Sequence, residues 1–431
     1  MSYEYLWHIA LILISTKIFG LITRKFQMPQ VVGALLAGLV LGPAFGLNWL
    51  TETDMLNKLA ELGVIVIMFS AGMGTDVHEL GKSGKSGFLV ALCGVLVPLG
   101  MGTLLAFIFN RGEFSHPGNV LLQNVFIGTI LTATSVSITV ETLREIGKLQ
   151  TKVGNTILAA AIIDDILGLI ALTVVTSLAG ADVNVWMVLL KIVLFFVFIA
   201  VVWFVAVRGF NWYAARKGNQ NLHRYPIAAF VLCLILSYAA ERFFGVADII
   251  GAFAAGLIIA NTTKGSYIAT KFQPMQYLFL TPIFFASIGI KVVLPNMSVS
   301  ILLFALLLVV AAILSKLLGC GLGAKLNGFS WRESVQTGFG MACRGEVALI
   351  VANKGTALGL MPASFFGPVI IMVVCCAVFT PVMLKLVFRT GKGEQVAMQQ
   401  NTLADRMDAP QQLDVISDQL LTADRDLQKK L

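Results

Sequence analysis

Apolar runs long enough to cross a bilayer recur from about residue 5 to about residue 390, and this repetition leaves few folds open to the chain. Within hydrocarbon every backbone N–H and C=O must be paired inside the structure, so a spanning segment is a helix or a strand of a closed barrel. The runs here have helix length, about 17–25 residues, rather than the ten or so of a barrel strand. An all-α polytopic membrane protein follows. Only 13% of the 431 residues are charged, about half the share in an ordinary soluble domain. The first run starts near Tyr5 behind Glu4, with neither a basic leader nor a small-residue cleavage site, and is expected to be a span rather than a signal peptide.

Thirteen spans are expected, beginning near residues 5, 31, 56, 86, 121, 153, 186, 226, 246, 274, 299, 334 and 366. Charge tests the count. Assigning alternate loops to opposite sides gathers eighteen Lys and Arg on one side, Arg24, Lys82, Arg144 and Lys325 among them. Only Lys58, Arg111, Arg242, Lys291 and Lys354 fall on the other. Basic residues concentrate in cytoplasmic loops, so the N-terminus is expected outside and the C-terminus inside. The same bias accounts for the net charge of +8 without a nucleic-acid partner. Six cysteines, none in a CxxC pair, indicate neither a zinc site nor a disulfide framework. Residues 391–431 turn polar and Asp-rich, as a short cytoplasmic tail. It is too short for a nucleotide-binding domain, and no GxxxxGK[ST] or GxGxxG loop supports transport driven by ATP.

The chain also repeats itself. Val31–Leu41 aligns with Ile249–Ile259, sharing Gly33/Gly251, Ala34/Ala252, Ala37/Ala255, Gly38/Gly256 and Leu39/Leu257. The following span echoes at nearly the same offset, Ser70-Ala-Gly72 against Ser287-Ile-Gly289. Small residues recur wherever membrane helices pack, but the shared offset favours a true repeat. The matching spans are the second and ninth, which cross in opposite directions. An inverted repeat is the architecture of many secondary transporters, with the site between the halves.

Asp164 and Asp165 stand at the centre of the sixth span, where each costs roughly 2.5–3.5 kcal/mol to insert. An ionisable pair in such a place is by default a proton or ion site. Consecutive helix residues point about 100° apart, so the two carboxylates cannot face one cavity squarely. A division of labour is expected, one aspartate facing a water-filled site and the other a neighbouring helix. Lys316 lies in the eleventh span, either snorkelling to the headgroups or pairing with one of the aspartates. In the second case breaking the pair releases a proton.

Two spans look interrupted. Gly128–Thr139 is dense in hydroxyls, with Thr134 and Ser135 as candidate cation ligands. Thr337–Val347 holds three glycines together with Arg344 and Glu346, whose charges need partners or helix dipoles. Interruptions at matching positions of two halves point to a transport site, although hydroxyls also serve as glue between helices. His8, His78, His116 and His223 lie near span ends or in loops, and nothing lifts them above solvated side chains.

On these residues the chain resembles the second family of monovalent cation:proton antiporters, the bacterial sodium/proton exchangers with the NhaA-type fold. The resemblance covers about residues 5–390 and is carried by Pro29–Pro43, Thr134-Ser-Val-Ser137, Ile163-Asp-Asp-Ile-Leu-Gly168 and Arg344-Gly-Glu346. It implies an inverted-repeat antiporter domain over residues 1–390, with two discontinuous helices crossing near the midplane. It implies that Asp165 binds cation and proton alternately, that Asp164 pairs with Lys316, and that Arg344 and Glu346 support the helix break. A moving core (about 86–179 and 299–388) would slide, elevator-like, past a dimerisation scaffold (about 5–75 and 226–291), with a linker helix over about 186–208. The Asp-Asp form with its lysine looks electrogenic.

The expected activity is therefore exchange of protons for sodium or lithium by a homodimer in the bacterial inner membrane, with no enzymatic reaction and no cofactor. Potassium is the alternative cation. Carboxylate, hydroxyl and carbonyl oxygens suit such hard ions. One rival is a sodium-coupled organic-anion symporter on the same fold. Another is an intramembrane aspartyl protease, but that chemistry needs two aspartates facing each other across a water, and adjacent residues splay apart.

Overall fold

The computed structural model describes residues 3–25, 28–43, 48–110, 119–179, 185–217, 224–292, 298–361 and 365–389. The polar tail expected from residue 391 lies outside them. The first half runs α1 (Glu4–Lys25), α2 (Gln30–Leu41), α3 (Asp54–Met73), α4 (Val77–Phe109), α5 (Val120–Thr132), α6 (Val136–Glu145) and α7 (Lys152–Leu178). After α8 (Val185–Lys217) come α9 (Arg224–Ala239), α10 (Asp248–Ala260), α11 (Gly265–Met275), α12 (Thr281–Ile290) and α13 (Val299–Leu326). The last described helices are α14 (Trp331–Gly340), α15 (Glu346–Ala357) and α16 (Phe366–Val387). Among the described residues there is no strand. Nine helical stretches among the described residues are long and apolar enough to cross a membrane, and α2 and α10 are shorter apolar helices.

Local chemistry sets the helix starts. Thr53, Asp76, Asn119, Thr151 and Ser298 each accept a backbone N–H from the first turn that follows, satisfying donors that have no partner within the helix. Asp76 also explains why α4 begins at Val77 rather than near residue 86. It accepts the N–H groups of His78 and Glu79, nucleating the helix in a polar segment ahead of the apolar run. The span expected from about residue 274 likewise starts early, at Gly265. Pro274 lies within α11, and a π-helical turn, Gln276–Leu280, then leads into α12. Proline lacks the N–H that the α-ladder requires, which disturbs the register there.

Glycine contacts join the two copies of the repeat crosswise. A Cβ on Gly38 of α2 would strike the Ala286 carbonyl of α12, and one on Gly289 of α12 would strike the backbone of α2 at Leu35 and Leu39. A Cβ on Gly72 of α3 would strike the Phe253 carbonyl of α10, and one on Gly256 of α10 the Phe69 carbonyl of α3. Each copy therefore seats on the other's following helix, with backbones close enough that only glycine fits.

Two groups of helices emerge. α1, α2, α3, α9, α10 and α12 pack among themselves, while α4, α5, α7, α13, α14 and α16 form a second cluster around α4 and α13. α8 touches both α7 and α10 and exposes most of its apolar surface.

Candidate ion-binding site

The site begins with the continuity of α7. Thr151 caps it by accepting the Gly154 N–H at 3.1 Å, and 27 residues then run without a break through Asp164 and Asp165. The two carboxylates diverge, as helix geometry requires. Asp164 is 2% exposed, and both its oxygens are engaged. Lys316 Nζ of α13 lies 2.7 Å from Oδ1, and the Thr134 hydroxyl donates to Oδ2 at 2.7 Å. Lys316 is itself fully buried, so it pairs rather than snorkels. Asp165 is half-buried, and its Oδ2 is enclosed without a hydrogen-bond partner among the described residues.

Backbone from α4 covers the ion pair. A Cβ on Gly94 would lie 3.6 Å from Lys316 Nζ and 3.7 Å from Asp164 Oδ1, and would overlap Cys320 Sγ. Gly319 and Gly323 of α13 bring that helix equally close to Cys93 and Leu89 of α4. Packed backbone in place of water lowers the local dielectric, which strengthens the pair and raises the cost of losing either member.

The two interruptions meet beside it. Helix stops at Thr132 and resumes at Val136, and again stops at Gly340 and resumes at Glu346. The Ser135 N–H donates to the Cys343 carbonyl at 3.0 Å, and the Thr139 hydroxyl to the Gly340 carbonyl at 2.8 Å. A Cβ on Gly345 would come within 2.6 Å of Ser135 Oγ, so glycine is required for the approach. The Ser135 hydroxyl lies 3.5 Å from that of Ser137. Ser135 thus joins the breaks through its backbone, while Thr134 reaches Asp164.

Arg344 is fully buried and makes no ion pair among the described residues. Its guanidinium donates to the carbonyls of Met341 and Cys343, each at 3.4 Å, and of Ala312 in α13 at 3.2 Å. A cation suits the unsatisfied carbonyls where α14 ends. The side chain of Glu346 lies outside the described residues. Elsewhere, Lys17 of α1 places Nζ 3.9 Å from the centre of the Tyr277 ring.

The sequence did not single out Gly94, Cys320 or Glu145. Glu145, the last residue of α6, accepts the Gln30 N–H with both carboxylate oxygens, at 2.7 and 2.9 Å. Pro29 gives α2 no side-chain cap of its own, and that missing cap is the signal that a partner from elsewhere was needed. Near this contact lies a cavity of about 220 Å³ bordered by Gln30, Glu141, Arg144 and Thr281. A larger surface depression, about 610 Å³, lies at Asp76–Lys82 and Asn261, and its lining includes neither aspartate of α7.

A polytopic helical protein with a repeat, two broken helices in contact and buried carboxylates against them is built as a secondary transporter. Residues 10–390 match the family described as sodium/hydrogen exchanger, transmembrane. The chain belongs to that family. It is 39% identical over 390 residues to the Na(+)/H(+)-K(+) antiporter GerN of Bacillus cereus, covering 90% of this chain and 97% of that one. It is 36% identical to a Na(+)/H(+) antiporter of Enterococcus hirae, covering 89% and 97%. Its fold matches a solved structure of the sodium proton antiporter MjNhaP1 of Methanocaldococcus jannaschii with a TM-score of 0.61 at 16% identity, over 89% of this chain and 96% of that one.

Proposed function

We propose that the protein exchanges protons for a small monovalent cation, sodium or lithium, at Asp165. One observation carries this assignment. Asp164 has both oxygens taken by Lys316 and Thr134, whereas Asp165 has an enclosed oxygen with no hydrogen-bond partner among the described residues. A carboxylate in that position accepts either a proton or a cation, and competition between them couples the two fluxes. Thr134, Ser135 and the carbonyls of the breaks are the nearby oxygen sources for a hard cation. Both relatives described above are named as Na(+)/H(+) antiporters, and the name of one adds potassium, which makes potassium the alternative cation.

Alternating access by an elevator motion fits the grouping of helices, the cluster around α4 and α13 moving against the one that contains α2, α3, α10 and α12. Thirteen crossings result if α5 with α6, α11 with α12, and α14 with α15 each count once, the paired breaks crossing near the midplane. The distribution of Lys and Arg then puts the N-terminus outside a bacterial cell membrane and the C-terminus inside. Arg344 and Glu346 serve the second break. Exposed apolar residues of α1 such as Trp7, Ile14 and Leu21 offer the scaffold a surface for a homodimer. Lys316 would make exchange electrogenic by releasing its proton when Asp164 lets go.

The test is pH-gradient dissipation in proteoliposomes titrated with sodium, lithium and potassium. Asp165→Asn is expected to abolish the cation-induced response. Exchange that persists in this variant sinks the assignment.

A further inference from the structure

α6 and α15 are the second halves of the two interrupted helices, and α2 and α10 carry the two copies of the repeat. The copies do not make the same contacts. α6 packs on α2 and α3, and Glu145 closes the seam by holding the Gln30 N–H. Beside it Glu141 accepts from Arg144 at 3.2 Å and from Gln276 at 3.1 Å. α15 packs on α5 and α16, and among the described residues makes no comparable contact with α10. When one half of an inverted repeat rocks against the other, opening one seam closes its counterpart.

The alignment identifies the counterpart. Asp248 precedes Ile249 as Gln30 precedes Val31, so Asp248 opens α10 as Gln30 opens α2. Lys354 lies in the last turn of α15 as Glu145 ends α6. Asp248 is half-buried, its carboxylate accepts the Ile249 N–H at 2.8 Å, and its electrostatic neighbours Glu241 and Glu61 are both carboxylates. Lys354 is exposed. Two other described cations at this end, Lys58 and Arg242, do not bridge the seam. Lys58 is held by Asp54 of its own helix at 2.7 Å, and Arg242 stands on the turn that precedes Asp248 and so moves with it.

We propose that Asp248 and Lys354 form the ion pair that closes the second seam. When α6 leaves α2, the end of α15 arrives at the start of α10, and the Lys354 ammonium meets the Asp248 carboxylate. The polarity is reversed between the two ends. At one seam α6 presents a carboxylate to backbone N–H, and at the other α15 presents a cation to a carboxylate. This assignment rests on the exchange and alternating access proposed above.

A charge swap in the full chain, assayed by sodium-driven pH-gradient dissipation in proteoliposomes, tests it. Lys354→Glu is expected to slow exchange about tenfold, since like charges would face each other across the seam. Combining it with Asp248→Lys is expected to restore the rate to within about twofold, because the residues act as a unit. A merely structural role predicts no such rescue. Wild-type speed in Lys354→Glu, or a double variant as slow as the single one, overturns the pair. If the double variant fails to reach the membrane, cysteines at 248 and 354, in a chain freed of its native cysteines, decide. A short reducible thiol cross-linker should join them and stop exchange until reduced, and exchange without any cross-linking overturns the pair. Unmodified protein that shows no sodium-dependent exchange sinks the transport assignment itself, whereas normal exchange with indifferent swaps sinks only the pair.

Discussion

The surroundings of Asp164 and the junctions of α2 with α12 and α3 with α10 both draw helices together, by opposite means. At the glycine contacts themselves the groups that meet are uncharged backbone. Glycines let one backbone rest on another, and any side chain there meets a carbonyl rather than a flexible neighbour. Around Asp164, α7, α13 and the first break are tied by an ammonium and a hydroxyl on one carboxylate. A steric junction has one arrangement. An electrostatic one has as many as there are ways to satisfy the charges, which is what a site that must exchange ligands needs.

The largest test of this contrast is Lys316→Met. It leaves Asp164 charged in a dry place with only Thr134, and should cost about 3–5 kcal/mol, read as thermal unfolding of the detergent-solubilised protein. Adding Asp164→Asn should recover more than half of the loss, and a double variant no more stable than the single one breaks the comparison. Next comes Thr134→Val, expected to lose about 1.5–3 kcal/mol for a hydrogen bond to a charged group, measured the same way. A null result would show that Lys316 alone satisfies Asp164. The smallest expected effect is at the steric junction, where Gly38→Ala should cost about 1–3 kcal/mol by overpacking and the loss should not change with ionic strength. A salt-dependent loss would mean that charge acts there too.

The all-helical, membrane-spanning class was legible because length and apolarity determine a spanning helix. The division between Asp164 and Asp165 was legible as geometry, from the turn between consecutive helix residues. Which aspartate takes Lys316 was not, since a pairing across 152 positions depends on how α7 and α13 both pack on α4, and only the resemblance pointed to it. The first break was visible in its hydroxyls, and the second in Gly338, Gly340 and Gly345. That Arg344 would turn to carbonyls of α13 and of the break after α14 was not, because a sequence shows charges but not open helix ends. The seam at Glu145 was readable in principle from a helix that begins after a proline with nothing to cap it.

The crosswise glycine contacts also order events during synthesis. α2 and α3 enter the bilayer long before α10 and α12 have been made, yet their closest partners lie on those later helices. Nascent chains therefore hold two glycine faces uncovered, with no native surface to fill them, until the second half arrives. However early its first helices are inserted, this part of the bundle is assembled late, and its partly built form is the one most exposed to wrong association.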